Sequence, residues 1–202
     1  MITILDYGMG NLGSLVNMLN RIDVSVKIEK DPENILQSEK LILPGVGSFD
    51  AAMSKIESIV GMKDALNEQA LKKKIPILGI CLGMQLLTRG SEEGILPGLG
   101  WIPADSIRFP KYDNLKVPHM GWNLASPSIP SLLTKKIKND CRYYFVHSFC
   151  VKVDSPNHSI MKTHYGIVFD SGVGCNNIYG VQFHPEKSHQ FGMQILENFS
   201  KI

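Results

Sequence analysis

A single apolar stretch, residues 75–87, constrains the fold of this chain more than any other. It opens with a short continuous apolar block, residues 75–80, which is typical of a parallel strand buried on both faces. It then reaches Cys81, which stands between two glycines in the pattern G-x-C-x-G, and restarts with the helical spacing of Met84 and Leu87. The stretch therefore predicts a buried strand, a sharp turn that carries Cys81, and a helix.

The chemistry available at such a turn depends on how the turn presents the cysteine. Small residues on both sides allow a strained turn to push a nucleophile out above the sheet, which is the geometry of a nucleophile elbow. The N–H groups at the start of the following helix carry partial positive charge, which favours a thiolate over a thiol. A buried structural cysteine is the alternative, because cysteines in apolar runs are usually buried. The elbow pattern alone leaves both interpretations open.

Length and charge exclude several classes of protein. The 202 residues fit a single domain, 1–202, with enough chain for a large core. Twenty-one basic and nineteen acidic residues leave a formal charge of +2, which indicates neither a nucleic-acid partner nor an anionic membrane. The apolar runs are too short to span a membrane, and Met1 leads directly into a predicted strand with no signal-peptide pattern, so we expect a cytoplasmic protein.

The four cysteines, at positions 81, 141, 150 and 175, are far apart in the sequence and form no C-x-x-C pair. This spacing suggests neither a zinc site nor a redox dithiol. In a reducing compartment we expect four thiols, of which one is reactive.

Strands and helices alternate in the first half of the chain, whereas the second half contains short strands separated by Pro, Asn and Gly. The first pattern is typical of a parallel sheet, and the second of antiparallel hairpins. We therefore predict an α/β fold with a three-layer, doubly wound, mostly parallel sheet and added antiparallel hairpins. The predicted strands are residues 2–7, 24–28, 40–43, 75–80, 107–109, 141–146, 149–153, 160–165, 166–170 and 178–181, and the predicted helices follow residues 13, 31 and 81 and occupy residues 49–74.

The loop after the first predicted strand reads G-x-G-x-x-G from Gly8 to Gly13 and precedes a helix. This is the fingerprint of a dinucleotide-binding loop in its usual context, with Glu29 near the end of the next strand as a candidate ribose ligand. A lone match to the fingerprint is weak. Dinucleotide binding therefore stays an alternative to a site built around Cys81.

The last predicted strand leads into G-V-Q-F-H-P-E-K, residues 180–187. Pro185 favours extended geometry at His184, and in an extended segment residues two apart project to the same side. His184 and Glu186 are therefore predicted to lie side by side, so that the carboxylate holds one imidazole nitrogen while the other faces a nucleophile. A lone histidine at a strand end is more often structural, but the elbow cysteine favours the catalytic interpretation. Lys187 is by default a surface lysine.

The third predicted strand ends in P-G-V-G, residues 44–47. Two glycines at the end of a strand allow the backbone to approach a ligand closely and to present N–H groups, as in an oxyanion hole. A tight turn is the alternative, and it would be preferred if Cys81 were not predicted on the neighbouring strand.

The pattern G-x-C-x-G at Cys81, together with F-H-P-E at residues 183–186, resembles the class I, or triad, glutamine amidotransferases. Further blocks are similar to those of the glutaminase subunits of imidazole glycerol phosphate synthase. These blocks are D-Y-G-M-G-N-L-G-S (6–14), P-G-V-G (44–47), P-H-M-G-W-N (118–123), Y-Y-F-V-H-S (143–148) and G-V-Q-F-H-P-E-K (180–187). The matching blocks extend over nearly the whole chain.

The resemblance implies roles for individual residues. Cys81 corresponds to the nucleophile, His184 to the general acid and base, and Glu186 to the residue that orients the histidine. The other implied residues are Val46, Gly47 and Leu82 at the oxyanion site, Gln85, Glu93 and Ser148 as ligands of the glutamine substrate, and Asn11, Met120, Tyr144 and Lys187 as contacts of a partner synthase. That partner is a (β/α)₈ barrel that consumes ammonia as the other half of a heterodimer. The family needs no metal or cofactor on this chain, and its loop at residues 8–13 meets the partner.

Residues 188–193 depart from the glutaminase subunits of imidazole glycerol phosphate synthase that serve the histidine pathway. Those histidine-pathway subunits more often begin this segment with Ser-Gly. Together with residues 147–149, the segment is similar to that of paralogues that supply ammonia to sugar-modifying synthases in surface-glycan biosynthesis. The acceptor of the ammonia therefore has two candidates, whereas glutamine hydrolysis is common to both.

A cysteine hydrolase or peptidase of the same fold is a further alternative. Such an enzyme would share Cys81 and His184. It would need neither the block at residues 118–123 nor an acidic residue directly after His-Pro.

Overall fold

Strands and helices alternate through the first half of the computed structural model, which describes residues 1–111 and 115–202. The strands are β1 (Ile2–Leu5), β2 (Val26–Glu29), β3 (Leu41–Gly45), β4 (Ile77–Cys81), β5 (Ala104–Arg108), β6 (His119–Leu124), β7 (Ser126–Pro127), β8 (Arg142–His147), β9 (Phe149–Val153), β10 (Ser159–Tyr165), β11 (Ile167–Cys175) and β12 (Ile178–Val181). The helices are α1 (Leu12–Arg21), α2 (Pro32–Ile35), α3 (Phe49–Ser58), α4 (Met62–Asn67), α5 (Leu82–Leu86) and α6 (His189–Ser200). A π-helical turn at Glu68–Lys72 continues α4, and a 3₁₀ turn at Pro185–Lys187 precedes α6.

Ten strands in the described part of the chain form one sheet, and its first half is parallel. β2, β1, β3, β4 and β12 lie side by side in that order with parallel pairing. β11 pairs antiparallel with β12, and β10, β7, β9 and β5 extend the sheet with antiparallel pairing. β6 and β8 form a separate antiparallel ribbon. The predicted fold class, a parallel α/β sheet with added antiparallel hairpins, is confirmed.

Apolar side chains cover both faces of the parallel strands and so create three layers. Alternate residues of β3 point to opposite faces of the sheet. Ile42 packs in the apolar layer that contains α1 and α6, whereas Leu41 and Leu43 pack in the layer that contains α3 and α4. All three side chains are fully buried. This two-sided burial explains why the strands read as continuous apolar runs.

The helices differ from the predictions at two places. The predicted helix over residues 49–74 is interrupted at Gly61, whose φ of +79° is left-handed and separates α3 from α4. α6 is absent from the predicted elements, as are β6 and β7, although Ile195, Leu196 and Phe199 have helical spacing and are buried in it. No helix that the structure describes is both long and apolar enough to cross a membrane.

Close packing at the turn after β4 requires glycine on both sides of Cys81. A Cβ atom at Gly79 would lie 2.6 Å from the carbonyl oxygen of Gly83, and a Cβ atom at Gly83 would lie 1.8 Å from the carbonyl oxygen of Leu43 on β3. Backbone atoms inside a packed core cannot move aside as the end of a flexible side chain can. The pattern G-x-C-x-G is therefore a requirement of the packing of α5 against β3 and β4.

We expect Gly83→Ala to lower the free energy of unfolding by about 3 kcal/mol, because the added methyl group forces α5 away from β3. Gly13→Ala is the matched control: this glycine lies in α1, and apart from its chain neighbours and the backbone of α1 no described atom is within 4 Å of its Cβ position. The control should gain up to about 1 kcal/mol from the helix propensity of alanine. Urea unfolding followed by circular dichroism measures both. Wild-type stability in Gly83→Ala would show that α5 does not approach β3 this closely.

Candidate active site

Cys81 stands at the junction of β4 and α5 in a backbone conformation that few residues other than glycine adopt. Its φ is +54° and its ψ is −111°, and such a conformation costs on the order of 1–3 kcal/mol of strain. The predicted sequence of strand, turn and helix is present, with the strained turn of a nucleophile elbow. β4 lies between β3 and β12, and Cys81 is in register with Gly45.

His184 and Glu186 form a buried pair beyond the end of β12. Nδ1 of His184 lies 2.7 Å from Oε1 of Glu186, and the two side chains are 2% and 3% exposed. Because a carboxylate only accepts hydrogen bonds, the Nδ1–H group donates. The two residues lie side by side as predicted, and His184 is extended as predicted, with φ −97° and ψ 99°, but the expectation that the extended segment continues to Glu186 is wrong. The 3₁₀ turn Pro185–Lys187, and not an extended segment, brings Glu186 next to the ring.

Opposing effects set the pKa of His184. Burial lowers this pKa, but the side chains of Cys81 and Glu186 stabilise the imidazolium and outweigh the burial, so the pKa of His184 is raised overall. Nε2 of His184 has no hydrogen-bond partner of good geometry among the residues that the structure describes. This nitrogen is therefore available to the sulfur of Cys81 and to a leaving group beside it.

The buried amide of Gln182, which the sequence analysis did not identify, contacts the cysteine and is joined to the amide of Gln85, a predicted substrate ligand. Nε2 of Gln182 lies 3.8 Å from Sγ of Cys81, and Oε1 of Gln182 accepts a hydrogen bond from Nε2 of Gln85 at 3.1 Å. Nε2 of Gln85 also donates to the carbonyl oxygen of Phe149 at 3.2 Å. Because both partners of this nitrogen are acceptors, the orientation of the Gln85 amide is determined. The one sequence signal for Gln182 is its position two residues before His184.

Residues 44–47 lie at the end of β3 and are held at one point by Tyr7. The hydroxyl of Tyr7 donates to the carbonyl oxygen of Pro44 at 2.7 Å, and burial raises the pKa of Tyr7. Gly47 has a φ of +103°, which glycine adopts without strain, and Val46 is 43% exposed. The segment is therefore anchored at Pro44 and can change conformation at Gly47 at little cost.

Cys81 and His184 open onto one cavity of about 320 Å³, a volume typical of small-molecule sites. Eight of the residues predicted to serve the reaction line it: Val46, Gly47, Cys81, Leu82, Gln85, Glu93, Ser148 and His184. Pro118, Val146, His147 and Phe149 line it as well. A larger depression of about 980 Å³ elsewhere on the described chain is lined by none of these eight residues.

Glu93 brings a charged group to this cavity from the loop after α5. Its Oε2 accepts a hydrogen bond from the backbone N–H of Phe49, at the start of α3, at 2.8 Å. This contact holds the carboxylate in place. The cavity thus combines one carboxylate with the neutral polar groups of Gln85 and Ser148.

Three of the residues predicted to contact a partner lie on the β6–β8 ribbon and the adjoining turn. Met120 is 62% exposed, and Nζ of Lys187 lies 5.6 Å from the ring centroid of Tyr144, a cation–π distance. Trp122, which the predictions omitted, is directly opposite Tyr144 in the ribbon and stacks on His189 with the ring centroids 5.4 Å apart. We refer to Met120, Trp122, Tyr144 and Lys187 as the ribbon face.

The loop at residues 8–13 has few features of a dinucleotide-binding loop beyond its glycines. Asn11 caps α1, since its side chain accepts a hydrogen bond from a backbone N–H of the first turn. In dinucleotide-binding folds the third glycine permits close packing of helix on strand, whereas no described atom is within 4 Å of a Cβ placed at Gly13. The carboxylate of Glu29 is paired with Lys27 at 3.3 Å. These observations do not favour dinucleotide binding.

The family described as glutamine amidotransferase class-I matches residues 3–202. The chain belongs to this family. Among curated proteins it is 50% identical over 201 residues to the imidazole glycerol phosphate synthase subunit HisH 2 of Methanococcus maripaludis, with 100% of this chain and 99% of the relative covered. It is 47% identical over 202 residues to HisH 2 of Pseudomonas aeruginosa and 44% identical over 205 residues to HisH of Bdellovibrio bacteriovorus, with full coverage of each chain. The family resemblance in the sequence is confirmed.

Solved structures share the fold at low sequence identity. A structure described as a glutamine amidotransferase has a TM-score of 0.75 at 15% identity and covers 100% of this chain and 99% of its own. A glutamine amidotransferase from Thermotoga maritima has a TM-score of 0.67 at 17% identity, with 99% and 82% covered. These similarities concern the fold.

Proposed function

We propose that this protein is the glutaminase subunit of an imidazole glycerol phosphate synthase and hydrolyses glutamine to glutamate and ammonia. The observation that carries the proposal is that the elbow cysteine, Cys81, and His184 line one cavity, while Glu186 holds His184 from behind at Nδ1. The full-length relatives named HisH support the choice of subunit. The ammonia would pass to a (β/α)₈ barrel partner that makes imidazole glycerol phosphate and AICAR in histidine biosynthesis, in the cytoplasm.

The first half of the proposed reaction forms a thioester. The thiolate of Cys81 attacks the side-chain amide carbon of glutamine, and the carbonyl oxygen becomes an oxyanion. Backbone N–H groups of the Val46–Gly47 segment and of Leu82, which line the same cavity, would hold this oxyanion. The imidazolium of His184 gives its Nε2 proton to the leaving nitrogen, which departs as ammonia.

The second half restores the enzyme. Neutral His184 takes a proton from a water molecule, and the resulting hydroxide attacks the thioester carbon. The carbon–sulfur bond breaks, glutamate leaves after its new carboxyl group loses a proton to solvent, and Cys81 is again a thiolate beside an imidazolium. The raised pKa of His184 supports this resting pair, and Glu186 stabilises the imidazolium without taking its proton.

The polar groups of the cavity suit the binding of glutamine by the end of the molecule opposite the side-chain amide that reacts. The carboxylate of Glu93 is the proposed partner of the α-ammonium group of glutamine. Gln85 and Ser148 supply further hydrogen-bonding groups on the lining. The ribbon face and Asn11 are the proposed docking surface for the barrel subunit, since they combine exposed apolar groups with a lysine.

The experiment that tests the function is the release of glutamate and ammonia from glutamine by the purified chain, alone and with a histidine-pathway barrel subunit and its acceptor. Asparagine, one methylene shorter, serves as the matched substrate control. Peptide and ester substrates test the hydrolase alternative, and a titration with NAD tests dinucleotide binding. Peptide or ester cleavage without glutamine hydrolysis under any of these conditions would overturn the proposal.

We expect Glu186→Gln to lower kcat by roughly 10²-fold to 10⁴-fold, less than the loss of Cys81, because the amide removes the negative charge beside Nδ1 of His184 but keeps an acceptor there. The pKa of His184 should fall at the same time, since one of its two stabilising partners is lost. The pH dependence of kcat and NMR titration of the ring measure these effects. Full activity in Glu186→Gln would remove this residue from the site.

A second candidate function, ammonia supply to a sugar-modifying synthase, is favoured by one observation. His189 lies in the segment that departs from the histidine-pathway subunits, and it stacks on Trp122 of the ribbon face. The chain therefore departs from those subunits at its proposed docking surface. Activation by a glycan-pathway barrel subunit, with no response to the histidine-pathway subunit, would establish the second candidate.

A further inference from the structure

Two imidazoles are buried in contact with each other at one wall of the cavity, which His147 itself helps to line. His119 on β6 and His147 on β8 are cross-strand partners in the ribbon and are 2% and 6% exposed. Nδ1 of His119 lies 2.9 Å from Nε2 of His147, and Nδ1 of His147 lies 2.7 Å from the carbonyl oxygen of Phe149. The proposed reaction does not use either ring as an acid or a base.

The donor and acceptor of each hydrogen bond in this chain follow from the carbonyl oxygen of Phe149, at which the chain ends. A carbonyl oxygen only accepts, so Nδ1 of His147 carries the proton, and in the neutral ring Nε2 is then an acceptor. Nδ1–H of His119 must donate to it, which leaves Nε2 of His119 as an acceptor for the amide of Asn123 at 3.2 Å. The Asn123 amide also donates to the carbonyl oxygen of His164 at 3.0 Å. Every member of the chain is satisfied only if both rings are neutral and Nδ1-protonated.

The surroundings of the pair favour the neutral rings. Burial lowers the pKa of His119 from 6.5 to about 4 and that of His147 from 6.5 to about 3. The titratable groups that face the pair are Tyr165 on β10, stacked on His119 at 3.9 Å, and His184, whose charge further lowers the pKa of His147. Phe109 and Phe169 supply aromatic contacts from other packed elements, and Phe145 supplies one from β8 itself.

We propose that His119 and His147 are positioning residues that fix the wall of the glutamine site through the carbonyl oxygen of Phe149. This inference rests on the proposed function. The carbonyl accepts hydrogen bonds from both His147 and Gln85, so the imidazole chain and the amide that lines the cavity share one anchor. Val146, Ser148 and Phe149, which line the cavity, lie in the same short stretch. Loss of this hydrogen-bond chain therefore displaces substrate-binding groups, while the turn that carries Cys81 keeps its conformation.

Nitrogen NMR of the histidine rings tests the chain without any assay of activity. Both rings should be neutral and Nδ1-protonated, and neither should titrate between pH 8 and pH 5. A ring that titrates near pH 6.5, or an Nε2-protonated tautomer at either position, would overturn the inference.

A pair of substitutions at His119 separates positioning from mere stability. His119→Phe keeps the stacking on Phe145 and Tyr165 but leaves Nε2 of His147 without its donor. We expect its KM for glutamine to rise about tenfold, with a smaller change in kcat, because a buried acceptor is left unpaired and the wall relaxes. His119→Asn can place an amide donor near the position of Nδ1 and cannot be protonated, so its KM should return to within about twofold of wild type.

The rates at which two reagents label Cys81 add a measurement that would not change if His119 served only the stability of the fold. In His119→Phe, a glutamine-like diazo-ketone should react more slowly with Cys81, whereas iodoacetamide, which needs no substrate pocket, should react at the wild-type rate. Gln69→Met is the stability control, since Gln69 is fully buried, donates to the carbonyl oxygen of Ile35 and does not line the cavity. Its KM and labelling ratio should equal those of wild type.

The outcomes distinguish this inference from the proposed function. A wild-type chain that hydrolyses no glutamine, with or without a barrel subunit, overturns the function. Normal wild-type turnover with an unchanged KM and labelling ratio in His119→Phe overturns the inference alone. A raised KM in Gln69→Met as well would show that the raised KM of His119→Phe reflects general destabilisation, and this result would also overturn the inference.

The low pKa values of the pair have a consequence for stability with a definite sign. Well above pH 6.5 the rings are neutral in the folded and unfolded states, so the pair adds no pH dependence there. As the pH falls from 6.5 toward 4, the unfolded chain takes up protons that the folded chain does not bind, and stability falls. His119→Asn removes one of the two groups, so its loss of stability over this range should be shallower. An identical slope in wild type and His119→Asn would contradict a neutral, buried His119.

Discussion

Replacement of Cys81 by alanine is expected to lower kcat for glutamine hydrolysis by on the order of 10⁵-fold to 10⁶-fold, which is the largest effect of any single substitution in this chain. In the proposed reaction the thiolate of Cys81 makes the covalent bond to the substrate, and Cys81 is the one cysteine among the described residues that line the cavity. The fold should survive, because alanine can occupy the turn with no more strain than cysteine at φ +54°. Steady-state release of glutamate and the circular dichroism spectrum measure the two parts.

The other cysteines supply the control for this prediction. All four are free thiols, but burial raises the pKa of Cys150 to about 12 and also raises the pKa of Cys175. A glutamine-like diazo-ketone should therefore modify Cys81 alone, and Cys175→Ser should keep wild-type turnover. Equal modification of Cys141, Cys150 or Cys175, or turnover that persists in Cys81→Ala, would remove Cys81 from the chemistry.

Local signals in the sequence were sufficient to predict the parallel sheet and the elbow. The stretch from residue 75 to residue 87 contains its own strand, turn and helix, and the two glycines beside Cys81 report close backbone contacts that only glycine allows. The break at Gly61 was not predicted because the apolar spacing continues on both sides of it. A glycine within a periodic pattern is compatible with either a continuous helix or a left-handed interruption.

Contacts between distant parts of the chain account for what sequence reasoning missed. Gln182 and Cys81 are 101 residues apart and meet only because β12 lies beside β4. His119 and His147 are 28 residues apart and pair only because β6, which has no strong strand signal, forms a ribbon with β8. No local periodicity encodes a register between two strands, so the buried polar chains that depend on such registers required the structure.

The second large effect concerns the isolated chain, which is expected to be a slow glutaminase that a barrel partner accelerates by at least 10²-fold to 10³-fold in kcat. That factor is the approximate contribution of one oxyanion donor. The acceleration should appear in kcat more than in KM, because an oxyanion forms only after the substrate is bound. The expectation that the isolated chain is slow has a biological reason. Glutamine that is hydrolysed without an acceptor for the ammonia is wasted, so the subunit should be nearly inactive when alone.

The structure contains a direct contact through which a partner could produce this change. The end of the Met9 side chain, Cε, lies 2.8 Å from the position that a Cβ of Gly47 would occupy, and a Cβ at Gly10 would lie 3.2 Å from Pro44. The loop at residues 8–13, next to the proposed docking residue Asn11, therefore packs directly on the segment that would supply an oxyanion N–H group. A displacement of this loop would therefore act directly on residues 44–47, because the two segments are in contact.

Because Tyr7 anchors Pro44 and Gly47 tolerates a wide range of φ, a change in this loop should turn a peptide between Val46 and Gly47 and leave the start of the segment in place. The test is steady-state glutaminase kinetics of the chain alone, with the barrel subunit, and with the barrel subunit and its acceptor. Gly47→Ala should reduce the activated rate far more than the basal rate, since alanine at φ +103° is strained and its methyl group would press on Met9. Full-speed turnover by the isolated chain, unchanged by partner and acceptor, would rule out this form of gating and would leave the chemistry of Cys81 and His184 as proposed.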